Sequence, residues 1–278
     1  MHDRPFPPHC EGLRDLVECS AYALLVHVHP VLADLLQRSG ASGFIMLAMQ
    51  ARDRLVVAVD VSTRDEVLAL VDELHGSVGV FKVGLQAFIA NGPSIVREVV
   101  RQGERVFLDL KIHDIPNTAQ HAVAEEVSLG ASILTVHASG GESMLRACAA
   151  AAGDALVLAV TVLTSLDAQQ LSEIGFAAAP FGTAVNLARL ANRAGLRGVV
   201  ASPHEIVAIR DACPSPFVIL TPGIRPAGAD ASDQRRTMTP ADAIRAGADY
   251  IVVGRPITGA KLRRDAARRI VEEMEKAG

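Results

Sequence analysis

The sequence has no long run of basic residues, no close pairing of its cysteines and no apolar stretch of membrane-spanning length. A net charge of -4 without a basic patch argues against nucleic acid as the main partner. It leaves room for a nucleotide-sized anion, which needs only a local pocket of Arg, Lys and backbone N–H groups. The four cysteines, at 10, 19, 148 and 213, have neither zinc-ligand spacing nor the density of a secreted disulfide framework, so a reducing cytoplasm is the default expectation. The longest apolar stretch near the start, residues 21–28, is interrupted by His27 and closed by His29 and Pro30, short of the roughly 20 residues that a membrane span needs. No basic leader precedes it, because His2, Asp3 and Arg4 open the chain and Glu11, Asp15 and Glu18 follow. A soluble, cytoplasmic protein without an export signal is expected.

What the chain does have is apolar bulk. Of its 278 residues 50 % are hydrophobic and 21 % charged, a composition that can bury a large core and gives no reason for disorder. From residue 54 onward, short β-branched runs alternate with longer helical patterns, as in a parallel sheet wrapped by helices. The runs are Leu55 to Asp60, Val80 to Val83, Arg105 to Leu110, Ser132 to Val136, Leu156 to Val160, Gly198 to Ala201, Phe217 to Leu220 and Tyr250 to Val253. Between them lie amphipathic segments such as Arg64 to Leu74, Pro93 to Arg101, Thr118 to Ser128, Ala184 to Ala194 and Ala241 to Ala246. This rhythm predicts a (β/α)8 TIM barrel, for which roughly 250 residues is typical. An open doubly wound sheet is the alternative, but it would carry a G-x-G-x-x-G turn after its first strand, where this chain reads "AVDVSTRDE".

Residues 1–52 stand outside the rhythm and are read as an N-terminal extension of a barrel domain at 53–278, either loosely ordered or preceding a true start at Met46 or Met49. The extension holds four of the nine histidines and a weak helical stretch, Pro30 to Arg38. His2, His9, Cys10, His27 and His29 could in principle ligate a metal, but they follow no recognised spacing, so none is expected.

Charge is concentrated in "FLDLKIHDIPNT", residues 107–118, where a buried strand leaves the core. Residues i and i+2 of a strand face the same side, so Asp109 and Lys111 can project together from the mouth of the third strand. Asp114 follows past the turn, ahead of Pro116. Its spacing fits a helix N-cap as well as a functional carboxylate, and Thr118 fits an ordinary first-turn residue. In "VFKVG", Lys82 lies within an apolar strand, where a lysine is rarely buried without a partner; Asp109 on the neighbouring strand can be that partner. An alternating array of Lys82, Asp109, Lys111 and Asp114 is near neutral. As a purely structural network it would add little net stability, which favours a functional role.

Two stretches supply anion-binding chemistry. "IVVGRPIT" places Gly254 and Arg255 directly after the eighth strand, and "TPGIRP" places Gly223 and Arg225 after the seventh. The loops after strands seven and eight are the recurrent phosphate site of this architecture. Between them, "GADASDQRRTMTP" reads as a polar lid with Gln234 able to hydrogen-bond a phosphate or a base.

"DLKIHDIPNT", "LAVTVLTS", "TPGIRP", "DQRRTMTP" and "VGRPIT", in that order from about Arg54 to the C-terminus, closely resemble the bacterial type of orotidine 5'-monophosphate decarboxylase. The resemblance implies a homodimeric barrel that converts orotidine monophosphate (OMP) to uridine monophosphate (UMP) and carbon dioxide without metal or organic cofactor. By matching motifs it implies that Lys82, Asp109 and Lys111 act in one subunit while Asp114 and Thr118 reach in from the other. It further implies that Asp60 binds ribose hydroxyls, Thr164 and Ser165 lie near the pyrimidine, and Arg225, Gln234, Gly254 and Arg255 hold the phosphate. Lys111 is then the group that stabilises and protonates the carbanion. The related 3-keto-gulonate 6-phosphate decarboxylases share D-x-K-x-x-D but use magnesium and carry an acid where this chain has Lys82. A non-catalytic nucleotide-binding barrel is the other alternative; it would have little reason to keep Lys111 beside Asp109.

Overall fold

Parallel strands covered on both faces need side chains for two different spaces, and the β-branched runs of this chain supply them. In the computed structural model, which describes residues 49–177, 179–226 and 237–277, the runs form β1 (Leu55–Ala58), β2 (Val80–Gly84), β3 (Val106–Ile112), β4 (Ile133–His137), β5 (Leu156–Val160), β6 (Gly198–Val200), β7 (Val218–Thr221) and β8 (Tyr250–Val253). Each pairs in parallel with the next, and β1 pairs with β8, so the sheet closes into a barrel. The predicted (β/α)8 TIM barrel is met strand for strand. The largest shifts are at β1, which stops at Ala58 and leaves Asp60 beyond its end, and at β3, which runs on to Ile112. Pro30 to Arg38 and the histidines considered as metal ligands lie outside the described residues.

Alternate strand residues serve the two layers. Leu55, Val57, Phe81, Val83, Leu108, Leu134, Val136, Ile219 and Ile251 pack outward in one cluster with the helices. The intervening Val56, Val80, Phe107, Ile133, Leu158 and Val218 are buried and fill the barrel interior. Gly198 belongs to this inner set because a methyl group there would stand 2.4 Å from the Val218 carbonyl oxygen.

The helices are α1 (Arg64–Leu74), α2 (Leu85–Asn91), α3 (Ser94–Arg101), α4 (Pro116–Ser128), α5 (Gly141–Ala151), α6 (Ala168–Glu173), α7 (Pro180–Arg193), α8 (Ile206–Ala212), α9 (Pro240–Arg245), α10 (Arg255–Thr258) and α11 (Arg263–Glu275). α1 shows how they are specified. Thr63 accepts the Glu66 N–H at 3.3 Å and the Glu66 carboxylate accepts the Thr63 N–H at 3.1 Å, a reciprocal cap contributing about 1 kcal/mol. Val67, Leu70, Val71 and Leu74 then recur on its buried face. α4, α7 and α9 begin at prolines, earlier than the amphipathic pattern suggested, because the fixed φ of proline suits the first helical turn. No helix among the described residues is long and apolar enough to cross a membrane.

α4 contains one exception to apolar burial. Its inner face carries Ala119, Val123 and Glu126, and neither Glu126 carboxyl oxygen has a hydrogen-bond partner among the described residues. Burial, and secondarily the negative charge of Asp109, push this carboxyl up to about 8. The unfolded chain releases this proton near 4.5, so between the two values the folded state holds one proton more and stability falls as pH rises, by about 1.4 kcal/mol per pH unit. Glu126→Met removes this penalty. Its stability gain in urea titrations should be larger near pH 8 than near pH 5, by about 2–4 kcal/mol; a gain independent of pH would contradict the buried-proton account.

Candidate active site

The site is built on an irregularity in β3. Its pairing with β4 runs Phe107 to Ile133 and Leu108 to Leu134, then resumes at Ile112 to Val136. Asp109, Leu110 and Lys111 therefore lie opposite the single residue Thr135. The extra length is taken up at Lys111, whose φ of 57° is left-handed. For a residue with a Cβ that conformation costs about 1–2 kcal/mol. A flat strand would also put Asp109 and Lys111 on one face; the bulge turns them onto each other. Lys111 Nζ donates to Asp109 Oδ2 at 2.8 Å. The Lys111 N–H donates to Thr135 Oγ1 at 3.0 Å, and the Thr135 hydroxyl donates to Asp109 Oδ1 at 2.9 Å.

From β2, Lys82 completes the array. Its Nζ is 3.1 Å from Asp60 Oδ1 and 3.9 Å from Asp109 Oδ2. The side chains of Lys82 and Asp109 are 12 % and 13 % exposed, so each charge relies on the other and on its outer neighbour for what water no longer supplies. Within this chain the charges run Asp60, Lys82, Asp109, Lys111, with Asp60 adding a carboxylate at the Lys82 end. Asp114 is exposed at the rim, accepts the Ile115 N–H at 2.7 Å and forms no ion pair among the described residues. It is not the helix cap either: Ile115 precedes the first turn of α4 and no side chain caps it. Thr118 is exposed in that turn.

Inside the mouth, Lys82, Asp109 and Lys111 form one wall of a cavity of about 180 Å³ whose remaining lining is mainly apolar, including Phe107, Val160, Leu220 and Val252. Thr164 also lines it, and Ser165 is exposed beside it. His137 ends β4 with its ring 5.3 Å from that of His113. Burial, followed by the charges of His113 and Lys111, lowers its pKa and so favours the neutral imidazole. Around the barrel, Arg225 follows β7 and Arg255 opens α10 after Gly254. Burial, and secondarily the positive charge of Arg255, lower the pKa of Arg225. Gly223 takes a left-handed φ of 79° in the loop before Arg225. Gln234 lies outside the described residues.

A closed barrel with its charged groups gathered at the C-terminal ends of the strands has the arrangement of a (β/α)8 enzyme. Residues 53–270 match the model of the Orotidine 5'-phosphate decarboxylase / HUMPS family. Among similar proteins, the orotidine 5'-phosphate decarboxylase of Moorella thermoacetica is 51 % identical over 240 residues, covering 83 % of this chain and 95 % of the relative. That of Heliobacterium modesticaldum is 50 % identical over 236 residues, covering 81 % and 97 %. The crystal structure of orotidine 5'-phosphate decarboxylase from Lactobacillus acidophilus superposes with a TM-score of 0.72 at 32 % identity, covering 79 % of this chain and 98 % of that one. The chain belongs to the Orotidine 5'-phosphate decarboxylase / HUMPS family.

Two residues of the site were not singled out from the sequence. Thr135 was legible only as a lone hydroxyl in the apolar run "ILTVH". Gly84 ends β2, and a methyl group on it would stand 2.9 Å from Lys82 Nζ and 3.5 Å from Asp60 Oδ1. Glycine leaves that space to the ion pair. In a crystal structure of Gly84→Ala the Lys82 ammonium should therefore move out of hydrogen-bond range of Asp60; a pair still at 3.1 Å would refute the steric argument.

Proposed function

We propose that this protein is an orotidine 5'-monophosphate decarboxylase, converting OMP to UMP and carbon dioxide in de novo pyrimidine biosynthesis. The observation that carries the reading is the Lys111 ammonium, held 2.8 Å from Asp109 at the edge of an apolar cavity. Family membership and the names of relatives at about half identity support it. When the C6–carboxylate bond breaks, the electron pair remains on C6 in an orbital in the ring plane, which the ring cannot delocalise. A positive charge fixed beside that carbon stabilises it, and apolar surroundings strengthen the interaction. Lys111 supplies the charge, gives its proton to C6 and regains one from water. Asp109 holds the ammonium in place, so little reorganisation is needed as charge develops.

The remaining roles follow the shape of the mouth. Asp60 and Lys82 bind the ribose side, and Thr164 and Ser165 lie beside the pyrimidine. Arg225 and Arg255, with Gly254 and Gln234, take the phosphate. Asp114 and Thr118 serve a second copy of the chain in a homodimer. Their exposure at the rim supports this, as do the exposed apolar side chains of Ile115 (67 %), Ile89 (77 %) and Leu85 (49 %). The reaction so written uses no cofactor, and a cytoplasmic location suits it. A magnesium-dependent relative would need carboxylates free at this point, whereas Lys82 already bridges Asp60 and Asp109.

The test follows the ultraviolet absorbance of OMP as it is converted to UMP, with and without EDTA. Turnover unaffected by EDTA is expected; binding of OMP without turnover would favour a nucleotide-binding barrel. Lys111→Ala should lower kcat by about a hundredfold or more with the fold intact by far-ultraviolet circular dichroism, and near-normal turnover would defeat the assignment. Arg255→Ala should instead act mainly on kcat/KM, through a KM raised by about tenfold or more.

A further inference from the structure

The bulge in β3 leaves a problem that the catalytic residues do not solve themselves. Three residues of β3 face one residue of β4, so the Lys111 N–H cannot be paired by the regular ladder. It is satisfied by a side chain instead. Thr135 is fully buried, and its oxygen accepts that N–H at 3.0 Å. The same hydroxyl has one proton to give, and it gives it to Asp109 Oδ1 at 2.9 Å. The directions are fixed, because an amide only donates and an ionised carboxylate only accepts. With the Lys111 Nζ to Asp109 Oδ2 bond of 2.8 Å, the three hydrogen bonds close a ring that begins and ends on Lys111.

We propose that Thr135 is a positioning residue for the decarboxylation put forward above, on which this inference rests: its hydroxyl stabilises the left-handed turn at Lys111 and sets the orientation of Asp109. Both actions bear on where the Lys111 ammonium stands. A β-branched side chain suits the task, since its χ1 is restricted and the hydroxyl is held between its two partners. Thr135 is absent from the cavity lining, so it has no contact there through which to change substrate affinity.

The experiment compares wild type with Thr135→Val, which keeps the shape and removes both hydrogen bonds, and Thr135→Ser, which keeps the hydroxyl. For Thr135→Val, kcat on OMP should fall by about tenfold to a hundredfold while KM stays within about threefold, the pattern of a misplaced catalytic group. Thr135→Ser should recover kcat to within about fivefold of wild type, limited by its freer rotamer. If Thr135→Val does not fold, Thr135→Ala carries the same expectation. Wild-type kcat in the hydroxyl-free variant, a loss confined to KM, or failure of the serine variant to recover would each overturn the proposal while leaving the decarboxylase reading intact. A wild-type protein that does not convert OMP would overturn that reading, and the clamp with it.

Discussion

The site rests on one largely buried carboxylate. Asp109 takes a hydrogen bond from the Lys111 ammonium on one oxygen and from the Thr135 hydroxyl on the other, with the Lys82 ammonium at 3.9 Å. In this setting the positive and negative groups need each other. Removing Asp109 would leave two ammoniums facing one another at the cavity edge, and removing either lysine would leave a carboxylate short of a partner. The barrel tolerates the arrangement because charges alternate from Asp60 through Lys82 and Asp109 to Lys111.

The scaffold supplies what this alternation needs. Adjacent parallel strands place Lys82 and Asp109 on one face two residues apart in register, since Gly84 pairs with Asp109 and Lys82 with Phe107. Gly84 clears space for Lys82 to reach back to Asp60. Elsewhere on the mouth Arg225 follows β7 and Arg255 follows β8, and burial with the positive charge of Arg255 lowers the pKa of Arg225.

The layer behind the site is less settled energetically. Glu126 occupies a buried slot of α4 that apolar residues fill elsewhere on that helix, and the charge of Asp109 acts on it through the barrel wall. A carboxyl that keeps its proton to about pH 8 costs the fold little below the ordinary carboxyl range near 4.5, and the cost grows with pH from there to about 8. Thr118 lies in the first turn of the same helix, at the opposite end from Glu126, and Asp114 stands just ahead of that helix.

Much of the fold was legible because it depends on local patterns. β-branched runs of four to six residues separated by amphipathic stretches leave few alternatives to a closed parallel barrel, and the strand positions read from them hold to within two residues. Helix starts were placed late where a proline opened the first turn. At the site, residue type and strand-end position were enough to pick out Lys82, Asp109, Lys111, Arg225 and Arg255. The partners of those residues were not in the linear pattern. That Lys111 turns left-handed and that Thr135 joins its amide to Asp109 follow from a register shift between β3 and β4, and that Asp60 adds a carboxylate at the Lys82 end depends on the space Gly84 leaves after β2. Hydrophobic periodicity reports which face a residue takes, a local property. A bulge is decided between two strands, by which groups are left to pair once the barrel has closed.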